Sequence, residues 1–179
     1  MTQTGTAPLP TLRLGHIELL ATDIDAMEAF YRLVLGLVVT DRGNGMVFLS
    51  RHPDEHHQIV LSPGAGTRGA DSPLDHIAFR VDSLAQLRQY HGGLVAAGQA
   101  FSAVSHGNSW SLYFLDPEGN RLEIYCPTPW HVSQPCRFPI DLSLDDTQLL
   151  AYCRAKVQDL PGFTELARWA GPHQALLES

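Results

Sequence analysis

Leu14-Gly15-His16-Ile17 returns as Leu74-Asp75-His76-Ile77, and the segments that follow the two copies have the same order. After each comes a short apolar run, then capping residues (Thr22 or Asp23 in one copy, Asp82 and Ser83 in the other). Next is a segment of helical periodicity that ends near Tyr31 and near Tyr90, respectively. Strand-like runs at 37–40, 46–50 and 57–61 complete the first copy. Runs near 100–104, 111–115 and 121–125 complete the second. Both copies read as β-α-β-β-β. A repeat constrains architecture before any local propensity does, and a period of about sixty residues is too long for a solenoid unit. It suits two pseudo-symmetric halves of one domain.

Local signals fill in the halves. Met27, Phe30, Tyr31 and Val34 have helical spacing, and Gly36 closes that helix. Residues 62–72, rich in Gly, Ser and Ala, read as a linker. Asp116-Pro117-Glu118-Gly119-Asn120 is strong turn chemistry, so 111–115 and 121–125 form a hairpin. Residues 1–10 are Thr- and Pro-rich and read as extended. A Pro-broken loop over 127–139, a helix near 147–159 and a short helix over 163–169 lie outside the repeat. The expected fold class is α+β: two βαβββ modules, with a C-terminal loop and helical tail. The modules span about 12–62 and 73–126 of a domain at 12–126, and the extension runs from 127 to 179.

Composition narrows the partners. A net charge of −7 argues against nucleic acid and anionic membranes. No run is long and apolar enough to span a bilayer, and residues 1–10 lack a signal-peptide pattern. Three cysteines without C-x-x-C spacing give no disulfide framework. The expected setting is cytoplasmic.

Strand alternation then picks out the chemistry. On the hairpin, Tyr113 shares a face with Ser111 and Leu115, and Glu123 with Arg121 and Tyr125. If the two faces coincide, Tyr113 and Glu123 look into one space, with His106 at its rim. His16 and His76 occupy equivalent places on equivalent strands, and two-fold related halves would turn them toward each other. Two imidazoles and a carboxylate, His16, His76 and Glu123, make a facial set with open coordination positions, the pattern associated with non-haem Fe(II).

These residues resemble the vicinal-oxygen-chelate superfamily, which includes glyoxalases, bleomycin-resistance proteins and extradiol dioxygenases. The paired modules, the His on the first strand of each, and Tyr-Phe-Leu-Asp-Pro-Glu-Gly-Asn followed by Glu carry that broad likeness. A narrower one lies in 104–123. Val-x-His, five residues, Leu-Tyr, two residues, Asp-Pro-x-Gly, three residues and Glu resembles the extradiol ring-cleavage signature of one-domain type I enzymes. The resemblance implies that the modules form a curved, partly open mixed β-sheet barrel around a metal site, with Fe(II) held by His16, His76 and Glu123. It implies catalytic and substrate-binding roles for His57, His106 and Tyr113, with His57 as acid–base catalyst in the Glu55-His56-His57-Gln58 segment. The implied reaction is extradiol cleavage of a catechol, such as a dihydroxybiphenyl or substituted catechol, by dioxygen, in aromatic hydrocarbon catabolism and in a homo-oligomer. Two other readings share the fold: a glyoxalase-like Zn or Ni isomerase or lyase, and a non-catalytic small-molecule binding protein.

Overall fold

Each copy of the repeat folds into its own sheet carrying one helix, in a computed structural model that describes residues 13–65 and 74–170. Residues 1–10, the linker stretch 66–72 and His173 lie outside the described residues. The first half comprises β1 (Ile17–Ala21), α1 (Ile24–Val34), β2 (Val38–Gly43), β3 (Met46–Ser50) and β4 (Ile59–Pro63). Its sheet order is β1-β4-β3-β2, with β1 and β4 parallel and the other pairs antiparallel. The second half repeats this with β5 (Ile77–Arg80), α2 (Leu84–Ala96), β6 (Phe101–Ser105), β7 (Ser109–Leu115) and β8 (Arg121–Pro127) in the order β5-β8-β7-β6. The C-terminal extension contributes β9 (Trp130–His131), β10 (Phe138–Pro139), α3 (Asp146–Val157) and β11 (Thr164–Glu165). β10 lengthens the second sheet beside β6, and β11 pairs with β9. The fold is α+β with open, mixed sheets, and neither closes into a barrel.

Three local expectations shift. The second helix continues past Tyr90 to Ala96, through Gly92 and Gly93, because Leu87 and Leu94 are both buried in the core. Of these only Leu94 lies past Tyr90, and its burial, worth roughly 1.5–3 kcal/mol, offsets a glycine penalty of about 1 kcal/mol per residue. β4 begins at Ile59, so His57 stands just ahead of the strand. The short helix expected over 163–169 begins instead as β11, and the helical turn covers 166–170.

The core settles how the halves meet. Leu19, Ala21, Val47, Leu49, Ile59 and Leu61 from the first sheet join Ile77, Leu112, Phe114, Leu122 and Ile124 from the second. Met27 and Tyr31 of α1 and Leu87 and Leu94 of α2 lie in the same cluster. Phe30 of α1 packs on Phe114 of β7, with ring centroids 6.3 Å apart. The two helix-bearing faces therefore share one core. Alternation puts His16, Glu18 and Leu20 of the first half, and His76, Tyr113 and Glu123 of the second, on the faces turned away from it. The extension seals the same core with Trp130, Leu149, Cys153 and Val157, and the Trp110 indole donates to Cys153 Sγ at 3.2 Å.

The hairpin turn joins the halves. Asp116, 4% exposed, accepts from the Glu118 and Asn120 amides, from the Asn120 side chain and, at 3.2 Å, from the Tyr31 hydroxyl of α1. Burial first, and then this carboxylate, push the Tyr31 pKa well up. Glu118 Oε1 accepts from the Thr22 and Asp23 amides at 2.6 and 2.8 Å, at the start of α1. Asp116→Ala strands these buried donors. It should cost roughly 1–3 kcal/mol and lower Tm by several degrees in calorimetry. An unchanged Tm would remove the turn from the fold's supports.

Candidate metal centre and catalytic site

The register of the second sheet assembles four of the six candidate residues. Tyr113 of β7 lies directly opposite Glu123 of β8, and Glu123 lies opposite Ala78 of β5. His76 stands one residue ahead of β5, and its Nε2 is 3.1 Å from Glu123 Oε2. Its Nδ1 bonds Asp75 Oδ1 at 2.5 Å, and Asp75 also takes Arg121 Nη1 at 3.2 Å. The hydrogen bond to His76 holds the Asp75 carboxyl below its usual range against an opposing desolvation, and the charges of Arg121 and His76 add to the lowering. A carboxylate on one imidazole nitrogen fixes the ring and leaves the other free to ligate. The Arg121 guanidinium lies 4.4 Å from the Tyr113 ring centroid.

His106 closes the cluster at the β6–β7 corner. Its Nε2 is 3.0 Å from the Tyr113 hydroxyl, and its Nδ1 is 3.0 Å from the main-chain oxygen of Cys136. A carbonyl only accepts, so Nδ1 carries the proton, and in the neutral ring Nε2 is an acceptor facing the phenol. Burial, then the hydrogen bond to Glu123 and its charge, raise the Tyr113 pKa above its ordinary value, while Arg121 and Arg137 oppose them. Tyr113 is thus a neutral phenol whose single proton lies between two acceptors, His106 Nε2 and Glu123.

The other two candidates meet on the first sheet. The His16 and His57 rings lie 4.5 Å apart, centroid to centroid, and Phe48 packs edge-on to His57 at 5.3 Å. His56 Nδ1 and His57 Nδ1 are 2.9 Å apart, a bond that needs one N–H and one lone pair. Partial burial, followed by the charges of His16 and His56, lowers the His57 pKa, with Glu55 opposing. The structure does not gather His16 with His76 and Glu123. Among the described residues, no three His, Cys, Asp or Glu side chains stand together as a metal-binding group.

Two residues outside these clusters have contacts of their own. Glu18 accepts from the Ser62 hydroxyl at 2.5 Å. His131 stacks on Trp169 at 4.7 Å. Asp75 was missed as a site residue, although it stands in the second copy where the first has Gly15. The Cys136 carbonyl and the Gln134 side chain beside it had no sequence signal.

The donor chemistry suits a divalent ion: an imidazole nitrogen and a carboxylate oxygen side by side, each held by further hydrogen bonds or packing. The chain belongs to the glyoxalase/bleomycin resistance protein/dioxygenase superfamily, whose family model matches residues 13–124. Biphenyl-2,3-diol 1,2-dioxygenase 3 of Rhodococcus globerulus is 35% identical over 120 residues, covering 64% of this chain and 63% of that protein. A manganese-dependent 2,3-dihydroxybiphenyl 1,2-dioxygenase of Geobacillus genomosp. 3 is 30% identical over 118 residues, covering 63% of this chain and 36% of that one. The chain thus spans less than two thirds of the length of these curated relatives. Among solved structures, the lactoylglutathione lyase from Agrobacterium tumefaciens shares the fold with a TM-score of 0.54 and 24% identity. That match covers 66% of this chain and 96% of the lyase.

Proposed function

We propose that the protein is a metal-dependent extradiol dioxygenase that opens a catechol ring beside its hydroxyls, acting on a dihydroxybiphenyl-like or alkyl-substituted diol in aromatic catabolism. The observation that carries this reading is the contiguous set His106–Tyr113–Glu123–His76, in which a proton acceptor and a neutral phenol adjoin two metal-type donors. The names of the dihydroxybiphenyl dioxygenases among its relatives support it. His76, Glu123 and His16 hold the ion, taken as Fe(II), with Mn(II) the competing choice because one relative depends on it. When bound, the ion supplies Lewis acidity toward the diol and one-electron chemistry toward dioxygen. Tyr113 donates to a diol oxygen and sets the ring's orientation. His106 Nε2 accepts a proton released as the diol binds. His57, its pKa lowered, stands unprotonated near neutral pH as the second base.

His16 reaches the other ligands from a second copy of the chain. The support is the shared core: the faces bearing His16–His57 and His76–Glu123 both turn away from it, so within one chain they do not oppose each other. Among the described residues, β1 pairs with β4 and β5 with β8, each within its own half. A two-fold dimer would bring each first-half face onto the partner's second-half face and form two sites. Cys126, Cys136 and Cys153 are all free thiols, which suits a reducing cytoplasm.

The test is direct. Protein prepared without oxygen is loaded with Fe(II) or Mn(II), given a panel of catechols that includes 2,3-dihydroxybiphenyl, and then exposed to air. A yellow ring-opened product with equimolar oxygen uptake is expected. Stoichiometric metal with no oxygen uptake on any catechol would overturn the reading.

A further inference from the structure

The C-terminal extension lies beyond the family match yet reaches into the site through the corner His106-Gly107-Asn108. Thr128 holds this corner through its amide to Asn108 O at 2.9 Å and its hydroxyl to Gly107 O at 2.6 Å. The Val132 amide donates to Asn108 Oδ1 at 2.6 Å. Gly107 has φ +76, and a Cβ there would run into the Val132 side chain, so the extension packs against bare backbone. Gln134 makes the last two ties. Its Nε2 donates to His106 O at 2.7 Å, and its Oε1 accepts from the Cys136 amide at 3.0 Å. Cys136 O in turn accepts from His106 Nδ1. One amide side chain therefore bridges the main chain of His106 to the residue whose carbonyl receives its ring proton.

We propose that Gln134 is a positioning residue for His106. By seating the Cys136 carbonyl on Nδ1, it commits the neutral imidazole to the Nδ1–H tautomer and keeps the Nε2 lone pair aimed at Tyr113. Which ring nitrogen carries the proton is set by the partner of the other, and a carbonyl partner on Nδ1 decides it here. The catalytic consequence rests on the extradiol reading; the tautomer does not.

The tautomer is read from the imidazole nitrogen shifts of metal-free, 15N-labelled protein. Wild type is expected to show His106 as Nδ1–H at a pH where the ring is neutral. Gln134→Ala, with Tm close to wild type, should move the ring toward Nε2–H and lower kcat by roughly 10–100-fold, with KM for the diol little changed. Gln134→Glu keeps the acceptor for Cys136 but cannot donate to His106 O, and should lie between the two. A wild-type ring in the Nε2–H form, or a Gln134→Ala protein with unchanged shifts and kcat, would overturn the proposal. If Gln134→Ala does not fold, Gln134→Glu carries the test through the same two readouts, and unchanged shifts and kcat in it would overturn the proposal. A tautomer that shifts as expected in a protein that cleaves no catechol would uphold the positioning role and sink the extradiol reading alone.

Discussion

Co-expressing His16→Ala and Glu123→Ala chains should restore about a quarter of wild-type turnover from two variants that are each inactive alone. Random pairing makes half of the dimers mixed. In each mixed dimer, one site lacks both ligands and the other has its full set. Bound metal should follow the same pattern, near zero in each single variant and partly recovered in the mixed preparation. The structure motivates this through its core: α1 and the helix side of β7 pack together, so His16 and Glu123 lie on faces that point away from each other. Separate tags on the two chains allow mixed dimers to be isolated, and these should carry half of wild-type activity. If mixed dimers form and stay inactive, the three ligands come from a single chain and the shared site is wrong.

The second large effect is expected at His57. His57→Phe should keep its metal and lose turnover by roughly 10²–10⁴-fold, the usual contribution of a positioned acid–base group. Phe preserves an aromatic ring between His16 and Phe48, so the packing that holds His16 is retained. What it removes is the imidazole proposed as the base, whose pKa is lowered by partial burial and by the charges of His16 and His56. Metal analysis beside steady-state kinetics separates the two effects. Full activity with full metal would strip His57 of the acid–base role, and loss of metal would reassign it to the ion's surroundings.

The repeat made much of this molecule legible before any coordinates. Period and turn chemistry led to both sheets, both helices and the hairpin that sets Tyr113 opposite Glu123. What pattern could not say is which inward faces share an interior. Leu19 and Leu122 each read as inward-facing, but hydrophobicity does not distinguish one buried face from another. Two halves folded face to face and two packed helix side to helix side have the same alternation, and the structure has the second arrangement. The Gly92-Gly93 pair hid the end of α2, because propensity is local while the burial of Leu94 is tertiary. β9, β10 and β11 are too short for any period. The partner of His106 Nδ1 was invisible because a main-chain carbonyl has no residue identity.

Glu118 has a consequence for how interchangeable the two halves are. Its carboxylate receives the amides of the two residues just ahead of α1, more than ninety positions earlier in the chain. The turn at Asp116–Asn120 thus answers to two requirements, closing its own hairpin and receiving the Thr22 and Asp23 amides. A first half produced without the second would lack this acid and leave those amides to water. The second half thus completes the entry to the first half's helix, beyond the core that the two share.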